Sequence, residues 1–287
     1  MRHGRACIVA IVLSVCALVP LKSRERPLDI DVPFDLLQQH LIVAKGSIAG
    51  LRDLSLLIDT GTIPSMVDQR VARKLGLRAQ PSKLVAFGQT IDVNAAVLSD
   101  LRVGPLEPGE VPGFIGDLSY LRGKLSYSID GIVGLDVLAR RSFGIDYKAH
   151  TLSFGPSERE SAVAPMQVIW PFLTVRMFVS GHSMQLLVDT GSRELVLFKS
   201  HMSPALMPVP WRGEVVIQHT AGLTRLQRYE LHQVTLGDQH WDTLSGFVLD
   251  APTKEYPPGI DGVLGVLALG GKRVRFDLER GELSWSR

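Results

Sequence analysis

The chain has 287 residues, 45% of them hydrophobic, with a net charge of +2 and no long block of one sign. That content is enough for a sizeable core, in one large or two medium domains, and the even charge offers no basic stripe for nucleic acid. Several common enzyme classes are excluded as well, because there is no H-E-x-x-H, no G-x-S-x-G and no P-loop.

The N-terminus comes first. Arg2, His3 and Arg5 make a positive start, an apolar run covers 6–21, and Lys22, Ser23, Arg24, Glu25 and Arg26 return to polarity. Residues 1–23 therefore read as a secretory signal, the run being shorter than the about 20 residues of a spanning helix. Val15-Cys16-Ala17 offers a cleavage site after Ala17. An uncleaved N-terminal anchor is the alternative. Lipid attachment at Cys16 is a third reading, with the bulk of Val15 against it. Both cysteines, Cys7 and Cys16, lie in this segment, so no disulfide or cysteine ligand is expected beyond it. The expected location is periplasmic or secreted, with membrane contact only if the segment stays attached.

The remainder repeats itself. Leu56-Leu57-Ile58-Asp59-Thr60-Gly61-Thr62 recurs 130 residues on as Leu186-Leu187-Val188-Asp189-Thr190-Gly191-Ser192. Ile129-Asp130-Gly131-Ile132-Val133-Gly134 recurs 131 residues on as Ile260-Asp261-Gly262-Val263-Leu264-Gly265. Phe143-Gly144-Ile145-Asp146 returns, at the same 131, as Val274-Arg275-Phe276-Asp277. Three blocks in one register indicate an internal duplication. The division is a first lobe over 24–155, a polar linker over 156–166 and a second lobe over 167–287.

Each half reads as β. Strands are expected at 41–43, 55–58, 172–179 and 185–188, and hairpins at 146–153 and 276–285. A helix is expected at 65–75, where Val67, Val71 and Leu75 recur every four residues before Gly76, and short helical turns after Gly134 and Gly265.

The repeated carboxylates carry the chemistry. In each block an apolar strand delivers an aspartate to a sharp turn, where glycine lets a second backbone approach closely. Thr62 and Ser192 put another hydroxyl within reach of each carboxylate. One Asp-Thr-Gly is an ordinary turn. Two, each followed some 70 residues later by apolar-apolar-Gly, are a constellation.

These paired motifs resemble the aspartic peptidases, both pepsin-like and retropepsin-like. The half length and the lead-in Ile30-Asp31-Val32-Pro33-Phe34 resemble the bacterial retropepsin-like group. The resemblance implies an all-β fold of two homologous, barrel-like lobes related by a pseudo-two-fold axis. It implies Asp59 and Asp189 as the catalytic pair, Thr60 and Thr190 interlocking beneath it, and Gly61, Thr62, Gly191 and Ser192 in support. It implies flap hairpins near 85–93 and 216–226, although neither stretch has a tyrosine at the tip. The implied activity is endopeptidase action on a peptide or protein substrate, by a monomer, with no cofactor or metal. A non-catalytic peptide-binding module on the same fold is the alternative, and pairing of like lobes between chains is a third reading.

Other residues read as structural. Asp130 and Asp261 precede glycine in turns, and Asp146 and Asp277 set hairpins. His219, His232 and His240 have no ligand spacing and read as surface residues. Trp211 and Trp241 read as core or groove wall.

Overall fold

A computed structural model of the chain describes residues 31–86, 89–202, 210–219, 222–250 and 259–287. The architecture is all-β, as expected. The first half runs β1 (Val32–Leu37), β2 (Leu41–Ile48), β3 (Leu51–Ile58), β4 (Met66–Asp68), α1 (Gln69–Leu75), β5 (Gln80–Ala86), β6 (Gln89–Leu98), β7 (Val111–Gly116), α2 (Ser119–Leu125), β8 (Gly131–Val133), α3 (Leu135–Leu138), β9 (Phe143–Asp146) and β10 (Thr151–Phe154). The second runs β11 (Ala162–Ile169), β12 (Phe172–Val179), β13 (His182–Asp189), β14 (Leu195–Phe198), β15 (Pro210–His219), β16 (Gly222–Leu236), β17 (Gln239–Leu249), β18 (Gly262–Gly265), β19 (Arg273–Asp277) and β20 (Glu282–Ser286). Short 3-10 turns occupy Lys199–His201 and Val266–Leu269.

One pairing scheme occurs in both halves. β3 lies antiparallel to β2 and parallel to β8, while β4 lies antiparallel to β8 and parallel to β7. Likewise β13 lies antiparallel to β12 and parallel to β18, while β14 lies antiparallel to β18 and parallel to β17. Strands enclosed on both faces read as unbroken apolar runs rather than alternating ones. This accounts for Leu56, Leu57 and Ile58 in β3, and for Leu186, Leu187 and Val188 in β13, all buried.

A third sheet joins the halves. In it β1, β10, β9, β19, β20 and β11 follow one another, each pair antiparallel. Its middle strands, β9 and β19, come from different halves and set Phe143 opposite Phe276, their rings stacked 4.5 Å apart. The two anticipated hairpins are β9–β10 and β19–β20. Asp146 accepts the N–H groups of Lys148 and Ala149, and Asp277 those of Glu279 and Arg280, so both aspartates hold turns as expected. The strands expected at 41–43, 55–58, 172–179 and 185–188 are all present, and α3 and the turn at Val266–Leu269 are the expected helical turns.

Three local expectations change. The helix placed at 65–75 begins at Gln69, because Met66 and Val67 are strand residues held between β7 and β8. Asp68 caps it, accepting the Arg70 N–H at 2.9 Å. The linker placed at 156–166 ends sooner, since Ala162 already pairs with Trp285. Helix α2 was not foreseen. It lacks a side-chain N-cap and contains Gly123, and it is held by packing Tyr120, Leu121 and Leu125 against a cluster around Leu118 and Ile129.

Candidate active site

Strands β3 and β13 each deliver an aspartate to the start of a turn. Asp59 still pairs by its N–H with Val133 O at 3.0 Å, and the chain then reverses through Thr60, Gly61 and Thr62. The Gly61 N–H donates back to Asp59 Oδ1 at 2.9 Å, and the Gly191 N–H to Asp189 Oδ1 at 2.7 Å. Each turn thus orients the carboxylate that opens it. Both aspartates are half-buried.

The fold brings the two turns face to face. A Cβ on Gly61 would stand 2.5 Å from Asp189 Cγ, and one on Gly191 would stand 2.9 Å from Asp59 Cγ. Only a bare glycine allows each turn to approach the opposite carboxylate so closely. Beneath them, Thr60 and Thr190 are buried and bonded reciprocally. Thr60 Oγ1 donates to Val188 O at 2.8 Å and accepts the Thr190 N–H at 3.0 Å. Thr190 Oγ1 donates to Ile58 O at 3.0 Å and accepts the Thr60 N–H at 3.0 Å. All four groups are satisfied within a buried site, so the two turns are fixed relative to each other.

The electrostatics of the pair are unequal. Burial, then the charge of Asp59 and a hydrogen bond to it, hold the Asp189 carboxyl well above the ordinary carboxylate range, against the opposing N–H groups of Gly191 and Ser192. Thr62 Oγ1 donates to Asp59 Oδ2 at 2.6 Å. Ser192, expected to do the same for Asp189, instead donates from Oγ to Glu194 O at 3.2 Å. The carbonyl two residues on is within easier reach, so the second carboxylate lacks the hydroxyl that the first one has.

Two further residues, one near Asp189 and one near the loop after Ser192, carry no signal in the repeated motifs. Tyr147 follows β9, and its buried hydroxyl has no hydrogen-bond partner among the described residues. Burial, with the charge of Asp189 adding, pushes its phenol above the ordinary value. His40, at the β1–β2 turn, is held below the ordinary imidazole range by burial, against its hydrogen bond to Gln38 O. Arg193 also lowers it and Glu194 raises it, which places the turn near the loop after Ser192.

Of the residues read as structural, those whose side chains are described make structural contacts or lie exposed. Asp130 accepts the Ser55 N–H at 3.0 Å, and Asp261 accepts the Gln185 N–H at 2.8 Å, each bracing the strand that carries one of the two facing aspartates. His232 and His240 are exposed. Trp241 packs partly buried against the core, with the Arg287 guanidinium 5.1 Å from its ring centroid. The side chains of His219 and Trp211 lie outside the described residues. Among the described residues, no group of three or more His, Cys, Asp or Glu is placed to hold a metal ion.

Antiparallel hairpins occupy both stretches considered for flaps. One is β5–β6, closing with Ala86 opposite Gln89, and the other is β15–β16, closing with His219 opposite Gly222. Their tips, 87–88 and 220–221, lie outside the described residues, as does the N-terminal segment 1–30.

No curated protein matches the chain. A family model described as aspartyl protease matches residues 44–137, which include Asp59-Thr60-Gly61 and Ile132-Val133-Gly134. This match supports an aspartic peptidase-like family for the chain.

Proposed function

We propose that the chain is an aspartic endopeptidase whose two halves are lobes related by a pseudo-two-fold axis, with Asp59 and Asp189 as one catalytic pair in a monomer. The observation carrying this reading is the reciprocal packing of Gly61 on Asp189 and Gly191 on Asp59. Two carboxylates in contact cannot both be ionised at low cost, so they share one proton; the aspartic-protease pair is the standard example of that splitting.

The unequal surroundings assign the proton. The Thr62 hydroxyl donates to Asp59 while the Ser192 hydroxyl donates to Glu194 O, so in this reading the charge sits on Asp59 and the proton on Asp189. Asp59 then takes a proton from a water between the two carboxyls as that water attacks the scissile carbonyl. Asp189 gives its proton to the carbonyl oxygen, yielding a neutral tetrahedral diol. Collapse returns a proton to the leaving amine and restores the pair. The hairpins β5–β6 and β15–β16 are the candidates for covering an extended substrate. The signal-like segment at 1–23 supports action outside the cytoplasm.

The test is a digestion profile of a mixed peptide library across acidic to neutral pH, comparing wild type with Asp59→Asn and Asp189→Asn. Cleavage by the wild type and by neither variant is the expected result. A wild type that binds peptides and cleaves none would replace this reading with the binding-module one.

A further inference from the structure

The difference between the two aspartates has a source one layer away from them. Behind the first turn, buried Ser65 donates to Asp136 Oδ1 twice, from its N–H at 3.0 Å and from Oγ at 2.8 Å. With its proton committed to Asp136, the same Oγ accepts the Gly134 N–H at 2.9 Å, and the Leu135 N–H donates to Thr62 O at 2.9 Å. The loop leading from Asp59 to Ser65 is therefore tied at both ends to the segment after β8. Within that loop the Thr62 hydroxyl is left to donate to Asp59.

The second half holds the same positions differently. By the repeat, Ser65 corresponds to Leu195 and Asp136 to Leu267, an apolar pair, with Leu195 fully buried and Leu267 packed partly buried on the core. No hydroxyl is available there for the Gly265 N–H, which donates instead to Glu194 O at 3.0 Å. That bond draws the Glu194 carbonyl into the turn, where it also accepts from Ser192 Oγ. The hydroxyl that would support Asp189 is thereby occupied.

We propose that Asp136, acting through Ser65, is a positioning residue that makes Asp59 the charged member of the pair. This rests on the reading of Asp59 and Asp189 as one acid–base pair. Burial raises Asp136 above the ordinary carboxylate range, against the hydrogen bonds from Ser65, and its Oδ2 is buried without a partner. Its two bonds from Ser65 fix the loop whichever charge it carries. The other titratable and charged groups on this side are Asp189, which faces Asp59, Tyr147 after β9, which Asp189 influences, and His40 with Arg193 and Glu194 by the loop after Ser192. All are retained in the Ser65 and Asp136 variants below.

The experiment is carbon-13 carboxyl titration of aspartate-labelled protein, with the pair's signals identified by their loss in Asp59→Asn and Asp189→Asn. In Ser65→Ala, and in Ser65→Leu combined with Asp136→Leu, the lower apparent titration step of the pair should rise by about one pH unit, the worth of one hydroxyl–carboxylate bond. The double variant copies the apolar pair of the second half, so it is expected to fold even where a lone Asp136→Ala does not. Asp136→Asn keeps a neutral acceptor for Ser65 and should leave the step within a few tenths of a unit. A folded double variant with an unmoved step would overturn the proposal, as would an Asp136→Asn shift equal to that of Ser65→Ala. The readout does not need turnover. A shift in the variants with no peptide cleavage by the wild type refutes the peptidase reading alone, and cleavage with no shift refutes the positioning role alone.

Discussion

Thr60→Val tests whether the buried bonds between the two turns hold the site together. Valine matches threonine in shape but can neither donate to Val188 O nor accept the Thr190 N–H, now bonded at 2.8 and 3.0 Å. Both partners sit in a buried site where water cannot replace the lost group. A buried polar group left unpaired costs about 1–3 kcal/mol, so the substitution should cost about 2–6 kcal/mol. Against a total stability of about 5–15 kcal/mol, that is a large fraction. Thr190→Val should cost a similar amount through the Thr60 N–H and Ile58 O. Thr60→Ser keeps the hydroxyl and should lose only about 1 kcal/mol, for the methyl. Urea unfolding with linear extrapolation measures all three. A Thr60→Val protein within about 0.5 kcal/mol of wild type would refute the reasoning, because it would mean that water or a relaxed turn satisfies those groups.

Asp59→Asn and Asp189→Asn should each lower the peptide cleavage rate by at least about 100-fold, the combined variant should lose no more than either, and mixing the two single variants should restore nothing. Gly61→Ala should abolish cleavage while the protein still folds, since its Cβ would meet Asp189 Cγ at 2.5 Å; circular dichroism with a cleavage assay separates the two effects. Stability should depend on pH through Asp189. Its folded carboxyl binds a proton more tightly than the unfolded one, so between the ordinary carboxylate range and its raised folded value the native state holds more protons, and stability falls as pH rises through that window. Urea titrations from about pH 4 to about pH 7 should show that decline flattened in Asp189→Asn, and an unchanged slope would place the shifted group elsewhere.

The parts of the fold legible in the sequence were those where one local signal and the long-range pairing agree. The apolar runs before Asp59 and Asp189 are each enclosed between one antiparallel and one parallel neighbour, so hydrophobicity alone located them. The hairpins at Asp146 and Asp277 carry their own turn chemistry, with each side chain accepting the following N–H groups. Where signals conflicted, the reading slipped. Val67 has helical spacing to Val71, but β7 and β8 claim it as a strand, and tertiary pairing outweighs a weak periodicity. Helix α2 had no cap to announce it. In the site, Asp-Thr-Gly marked both carboxylates and both threonines, yet it gave no hint of Tyr147, which feels the charge of Asp189 only through the fold, or of His40 beside Arg193 and Glu194. Ser65 and Asp136 did leave a trace. They are polar where the aligned second half has Leu195 and Leu267, so the repeat was informative at its mismatches as well as its matches.

Those mismatches bear on why two copies in one chain differ from a pair of identical chains. Two identical turns facing each other across an exact axis have identical surroundings, so the shared proton has no preferred side until substrate breaks the symmetry. In a single chain the two turns can be supported differently. Here one has a Thr62 hydroxyl donating to its aspartate, and the other has a Ser192 hydroxyl turned to a backbone carbonyl. A bond of that kind to a charged group is worth about 1.5–3 kcal/mol, which corresponds to a proton ratio of at least about ten between the two sites. On the proposed reading the base and the acid are then assigned before substrate arrives, and no reorganisation is needed to choose them. The difference lies in the supports, because Asp59, Thr60 and Gly61 match Asp189, Thr190 and Gly191 residue for residue. Exchanging the supports, with leucines at 65 and 136, should therefore bring the two titration steps closer together without touching either aspartate.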